Sequence, residues 1–268
     1  MMVGTEGGPL LKARAVFIIC GGLALATAGP AHAELYLAVF GGTAFTESKT
    51  TETRLDLTSG MGTVTLLDGT FSEVDFHDSL LVGAKLGYFF TRPLLGGQLG
   101  SELELSYTEP HASRQTVTFS GTMFGASTTT EMSIQSASFD VFGVAVNLLY
   151  RLPLFTSAGY PYGRLQPYIG AGAGAFIATM STRTSPFDAN TRLDDTDVQP
   201  GVQALGGLKF FVFRKVAVFA EYRFTQTDDF EFNFRAHGTV GGSPATETAR
   251  DRSDLTQHHA AFGLAIHW

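Results

Sequence analysis

From residue 34 onward the chain alternates between two textures. Stretches where apolar residues trade places with polar or small ones at every step are separated by Thr-, Ser-, Asp- and Glu-rich stretches. In 216–225 the even positions are Val216, Val218, Ala220, Tyr222 and Phe224, and the odd positions are Ala217, Phe219, Glu221, Arg223 and Thr225. Side chains on a strand point alternately to opposite faces, so Glu221 and Arg223 share one face and an apolar row fills the other. The same split predicts strands at 79–90, 98–107, 138–150, 168–177, 200–212 and 259–268. An eighth, with a less clean alternation, covers 35–44.

A soluble barrel keeps its apolar row inside, whereas a membrane barrel turns it to lipid and fills its interior with polar and small side chains. Periodicity alone does not separate the two, but three features favour the membrane. The row opposite the apolar one mixes Gly, Ser, Gln, Lys, Glu, Arg and His in mid-strand, as at Lys85, Glu102, Glu104 and Lys209. Aromatic residues gather at one set of strand ends: Tyr88, Phe89, Phe90, Tyr150, Phe155, Tyr168, Phe210, Phe211, Phe213 and Trp268. Such girdles mark a membrane interface. Links also alternate in length, with long ones at 45–78, 108–136, 179–198 and 226–255 and short ones near 91–97 and 213–215. The link 151–167 is longer than a turn and carries Pro153, Pro161 and Pro167. Arg92, Arg151, Arg164, Arg214 and Lys215 fall on the short-link side, and the long links hold most of the acids.

The expected fold is all-β: an eight-stranded antiparallel transmembrane β-barrel with long extracellular loops and short periplasmic turns. An even strand count returns the C-terminus to the side where the barrel began, so both termini are expected in the periplasm. Closure is required because an open sheet edge in hydrocarbon leaves backbone groups unpaired. Eight strands leave an interior just wide enough for side chains, which argues against a wide pore.

Composition sharpens this. The 268 residues include 31 Gly, 23 Phe and 8 Tyr with only 16% charged, against about 25% in a typical soluble domain. A spanning helix needs ~20 apolar residues, and the one long apolar run, 15–28, reads instead as the core of a secretory signal. Lys12 and Arg14 precede it and Ala31, His32 and Ala33 form a small-x-small cleavage site. The expected organisation is a signal peptide over 1–33 and a barrel over 34–268. Cleavage removes Cys20, the sole cysteine, and with it disulfides and thiol chemistry. It also leaves 16 basic and 24 acidic residues, a balance unsuited to nucleic acid.

Candidate chemistry is sparse. Lys85, Glu102, Glu104, Lys209, Glu221 and Arg223 all fall on the inward face, where opposite charges can pair as a structural plug. A proton or ion path is the alternative reading of the same residues. His258 and His259 are adjacent and point to opposite faces, and His259 and His267 are ~26 Å apart along a strand at ~3.3 Å per residue. No metal site is expected. A His-x-Ser spacing occurs at His111 and Ser113 in a long link, and no catalytic residue is assigned. Gly170, Gly172 and Ala175 mimic a dinucleotide fingerprint but lie inside a strand and open no helix, so no cofactor is expected. The acid-rich links, with Asp56, Asp68, Glu73 and Asp75 in one and Asp228, Glu231, Glu247 and Asp251 in another, suit solvated loops. They also suit divalent-ion bridging to lipopolysaccharide, or contact with a host or neighbouring cell.

Residues 218–225, the strand start Pro167, Tyr168, Ile169 and Gly170, and the ending 259–268 resemble the small bacterial outer-membrane β-barrel domain family, similar in architecture to the OmpA transmembrane domain and opacity-type surface proteins. The resemblance covers nearly all of 34–268. It implies a Gram-negative outer-membrane location, contact with outer-membrane lipid and lipopolysaccharide, and a monomer. Gly263, Ile266 and Trp268 are similar to the terminal signal read by barrel-assembly machinery, with Ala261 departing from the polar residue commoner there. Some barrels of this size resemble lipid A deacylases, and this chain lacks their His-x-Ser at the end of a late strand. The expected function is non-enzymatic, structural or surface-contacting through the exposed loops, with a lipid A-modifying hydrolase or a small porin-like channel as alternatives.

Overall fold

The computed structural model describes residues 34–182 and 193–268; the expected signal peptide, 1–33, lies outside them. In chain order the strands are β1 (Glu34–Thr46), β2 (Lys49–Ser59), β3 (Gly62–Val74), β4 (Ser79–Leu94), β5 (Gly97–Thr108), β6 (His111–Ala112), β7 (Gln115–Met123) and β8 (Ala126–Ile134). They continue as β9 (Ala137–Arg151), β10 (Leu165–Thr182), β11 (Leu193–Phe213), β12 (Val216–Thr227), β13 (Phe230–Val240), β14 (Ser243–Ser253) and β15 (Thr256–His267). No helix among the described residues is long and apolar enough to cross a membrane.

Eight strands close a barrel in the order β1, β4, β5, β9, β10, β11, β12, β15 and back to β1, every neighbour antiparallel. Register aligns side chains into rows: Val39 lies beside Leu264 on one flank and Ala84 on the other, all facing outward. The outer surface is an apolar belt in which Leu148, Ile169 and Phe262 are each 62–67% exposed. The inner wall carries Tyr36, Phe40, Phe89, Tyr168 and Phe219. These rings fit because the facing strand is bare: a Cβ on Gly87 would collide with the Tyr36 ring, and one on Gly83 with the Phe40 ring and the Leu105 carbonyl. Glu34 and Trp268 share one end with the tight turns at Leu95–Gly96 and Arg214–Lys215.

Most of the residues expected to be long loops at the other end are strands. β13, β14, β2, β3, β7 and β8 form a second, six-stranded antiparallel sheet, a tower above the barrel mouth. β10 and β11 also run past their expected ends, pairing out to Thr182 and Leu193; the centre of the link expected at 179–198 lies outside the described residues. The reason is an inversion of polarity along one continuous alternation. Low on β10 the outward row is Ile169, Ala171, Ala173, Ala175 and Ile177, and higher up the same row turns polar, at half-buried Thr179 and then at Ser181, which is buried. The inward row changes the opposite way, from Gly170, Gly172 and Gly174 to Phe176, Ala178 and Met180. The tower follows the upper rule: Phe230, Phe232 and Phe234 are buried inside while Glu231, Asn233 and Arg235 face out. Its β13 edge is blunted by carboxylates, since the backbone N–H groups of Glu231 and Asn233 donate to Asp197 (2.9 Å) and Asp195 (2.7 Å).

Two other expectations change. Of the aromatic girdle, Tyr88, Phe90, Tyr150, Phe155, Phe210, Phe213 and Trp268 are on the outside or at the turns, but Phe89, Tyr168 and Phe211 are buried in the interior. Arg151, expected at a turn, is buried in the lumen, because it continues the inward row of Ala145, Asn147 and Leu149.

Candidate functional site

The barrel interior holds three polar layers. At the middle, Lys85 on β4 lies directly opposite Glu104 on β5. Its Nζ sits 3.2 Å from Glu102 and 3.4 Å from Glu104, and it crosses the lumen to donate to Glu221 on β12. The crossing is possible because at this level the intervening β1 and β15 present alanines: Ala38 is paired with Lys85 and with Ala265, and Ala261 with Glu221. Arg223 pairs with Glu104 and, at 3.1 Å, with Glu221. Neutral groups complete the layer. Tyr36 donates to Glu102, Asn147 donates to Glu102 at 3.1 Å, Gln203 to Asn147 at 2.7 Å, and Tyr168 to Glu221 at 3.0 Å.

Of the six inward charges expected to pair, five join this ion-pair network. Lys209 stands apart: its Nζ lies 3.9 Å from the centre of the Tyr36 ring, a cation–π contact, with Phe89 and Tyr168 further off. The void left between Tyr36, Lys85, Glu102 and Lys209 is about 10 Å³, at most one water.

The layer nearest the termini was not anticipated. Arg151 donates to Gln98 (3.0 and 2.7 Å), Gln166 (2.9 Å) and Glu34, and stacks 3.7 Å over the Phe89 ring. His267 also faces Glu34. Strand parity alone placed Arg151 and Gln98 inward, and that signal would have found them. Toward the tower, Gln257 donates to Thr46 (3.1 Å) and Thr108 (3.4 Å) beside buried His259 and Thr225.

Above these layers the polarity inversion opens a cavity of about 380 Å³ between the tower and the barrel mouth. Phe71, Phe139, Phe232, Met132 and Met180 line it, together with the carboxylates of Glu247 and Asp251. Burial raises the Glu247 carboxyl above its ordinary value. Burial likewise pushes Asp251 up to about 6, against the opposing hydrogen bond from Thr53 at 2.8 Å.

Other candidate residues fall as follows. Ser113 hydrogen-bonds His77 at 2.9 Å, and not the His111 of its own motif, whose ring stacks on that of His77. His258 and His259 point to opposite faces: His258 meets Tyr222 (2.6 Å) and Glu47 on the outside, and His259 is in the lumen. Among the described residues no three His, Cys, Asp or Glu side chains gather as metal ligands. At the C-terminal end Ile266 and Trp268 are exposed on the apolar belt, and Gly263 lies under the Phe219 ring, where a Cβ would collide.

Residues 23–264 match the family model described as outer membrane protein beta-barrel domain. No curated protein matches the sequence. Among solved structures, OprG from Pseudomonas aeruginosa is 12% identical, covering 87% of this chain and 96% of its own, with a TM-score of 0.44. Neisserial surface protein A is 11% identical over 87% and 96%, with a TM-score of 0.40. The outer membrane protease OmpT from Escherichia coli is 8% identical over 91% and 99%, with a TM-score of 0.41.

Proposed function

The chain belongs to the outer membrane protein beta-barrel domain family, and on that premise we propose that it is a non-enzymatic surface protein: a barrel closed to solutes that holds a contact tower outside the cell. The observation that carries this reading is the cross-lumen network. Lys85 and Arg223, each no more than 3% exposed, bridge three carboxylates from opposite walls. A solute would have to break those pairs at several kcal/mol each. The short turns share an end with Glu34 and Trp268, which supports a periplasmic position for that end and an extracellular one for the tower. Gly263, Ile266 and Trp268 serve as the signal for the assembly machinery. The barrel works as a monomer, its apolar belt covered by outer-membrane lipid and its tower beside lipopolysaccharide.

Reconstitution in planar bilayers tests closure: no discrete conductance steps are expected, and regular single-channel openings by the purified chain would overturn it. Surface contact is tested in cells by shortening the β2–β3 and β13–β14 hairpins while the barrel still shifts mobility on heating. Attachment to a host or neighbouring cell is expected to fall, and unchanged attachment would refute the contact role. The His77–Ser113 hydrogen bond is the one observation favouring a hydrolase. Release of 3-hydroxy fatty acid from lipopolysaccharide, abolished by Ser113→Ala, would replace the present reading with that one.

A further inference from the structure

The outer face of the tower can serve contact, but its inner face is built differently. Alternation on β14 turns Ala245, Glu247, Ala249 and Asp251 inward and leaves Arg250 and Arg252 exposed. Glu247 is 6% exposed, sits between Ala236 of β13 and Leu57 of β2, and lines the cavity. Its Oε2 is buried and has no hydrogen-bond partner. A buried polar atom without a partner costs free energy, and a carboxylate more than most. Nearby cations are committed elsewhere. Arg252 pairs with Asp229 at 2.6 Å, Arg54 with Asp56 and Asp68, and Lys49, near the cavity floor, with Asp254 at 2.8 Å. Arg235 and His237 of β13 are exposed on the far face. The cavity therefore has aromatic and sulfur-containing walls and the carboxylates of Glu247, Asp251 and Asp254; Arg252, which also lines it, is exposed and paired with Asp229, and among the described residues no cation pairs with Glu247.

We propose that the tower cavity is a binding site for a small organic amine, an aromatic or aliphatic body ending in one ammonium group. The ammonium meets the free oxygen of Glu247, and the body lies past Ala249 against Phe232 and Phe71. The volume, about 380 Å³, lies in the ~300–1,000 Å³ range of small-molecule sites. Glu247 and Asp251 are four residues apart, ~13 Å along the strand at ~3.3 Å per residue, so a single ammonium meets one of them. Asp251 already accepts from Thr53; Glu247 has the open valence. A carboxylate-bearing ligand is disfavoured by both acids. A neutral ligand would fill the walls but give Glu247 no counter-charge. The proposal goes beyond the contact role, since it concerns the enclosed face and stands whether or not the outer face touches another cell.

The test is isothermal titration of the full chain in phosphatidylcholine nanodiscs, with empty nanodiscs as baseline. The probes are 4-phenylbutylamine, the neutral 4-phenylbutanol and the anionic 4-phenylbutyrate. The amine is expected to bind saturably and one-to-one, the alcohol at least about tenfold more weakly, since hydrogen bonds to charged groups are the stronger ones, and the butyrate not at all. Glu247→Gln is expected to weaken the amine by about tenfold or more and to leave the alcohol unchanged. Ala249→Phe, which fills the cavity, is expected to abolish both, provided the variant still shifts mobility on heating. No saturable heat above the empty nanodisc would overturn the proposal. So would equal affinity for amine and alcohol, or an amine affinity unchanged in Glu247→Gln, which needs no change of shape to fold.

Discussion

Replacing Glu221 by Gln probes the closed lumen most directly. In the middle layer Lys85 and Arg223 share three carboxylates, Glu102, Glu104 and Glu221, and Glu221 contacts both cations. Glutamine keeps the size of the side chain and an oxygen for the Tyr168 hydroxyl, but removes the carboxylate charge that Lys85 and Arg223 share in a sealed interior. Removing one partner of a buried pair costs about 3–5 kcal/mol. Lys85 retains Glu102 at 3.2 Å and Glu104 at 3.4 Å, and Arg223 retains Glu104. The cost is therefore set at the lower end, about 3 kcal/mol, a roughly 100-fold change in the folding equilibrium. Urea titration in micelles measures it, read by heat-modifiable mobility and by the fluorescence of Trp268, the one tryptophan, on the outer surface. Lys85→Met should cost at least as much. The double variant, which removes both partners of one pair, should cost less than the sum of the two by about 1 kcal/mol or more. A Glu221→Gln midpoint within about 0.5 kcal/mol of the parent, or strict additivity in the double variant, would refute the network's role.

Other outcomes follow from single features. In the tower, Asp251 is held with its pKa raised to about 6 from an ordinary 3.8, so between those values the folded chain binds more protons than the unfolded one. Tower stability should therefore fall as pH rises from about 4 to 6, by at most about 3 kcal/mol. Urea midpoints for proteolysis of the β13–β14 hairpin measure this, and a slope that survives in Asp251→Asn would refute the assignment. Thr53→Val removes the hydrogen bond that opposes the shift, and should move the transition to higher pH. Gly87→Ala forces a methyl group into the Tyr36 ring; about 1–3 kcal/mol of lost stability is expected, and a neutral effect would mean that the ring has room to move. Trp268→Ala, at the exposed end of the belt, should slow insertion into liposomes more than it changes the urea midpoint.

Strand positions in the barrel were legible because each spanning segment sets apolar side chains against small or polar ones with period two, as at 216–225. Parity also put Lys85, Glu104, Glu221 and Arg223 on one inner wall. Parity does not give distances across a lumen. Lys209 has the same parity as its neighbours, yet it stops over the Tyr36 ring, since that depends on how eight strands close. The tower was harder to read. Along β8, Ala126–Ile134, the inward row includes Thr128 and Thr130 before it reaches Met132 and Ile134, and β14 carries charges on both rows. Such segments have the composition of solvated loops. β13, with Phe230, Phe232 and Phe234 alternating with polar residues, carried a strand signal inside an expected loop, as did the shorter alternation of Val117 and Phe119 on β7. The cavity follows from pairing β13 with β14 and β2, a long-range arrangement that no local pattern encodes.

The crossover at Ile177 and Thr179 on β10 also divides the molecule by driving force. Below it the outer side chains exchange one hydrocarbon environment for another, so burial from water contributes little, and cohesion comes from backbone pairing, close packing and internal charges. Above it Phe230, Phe232 and Phe234 are withdrawn from water itself, a process with a large heat-capacity change that weakens on cooling. One continuous set of strands thus carries two temperature dependences. Chilling loosens the tower's aromatic lining while the barrel beneath keeps its grip, so the part of the protein most responsive to temperature is the tower.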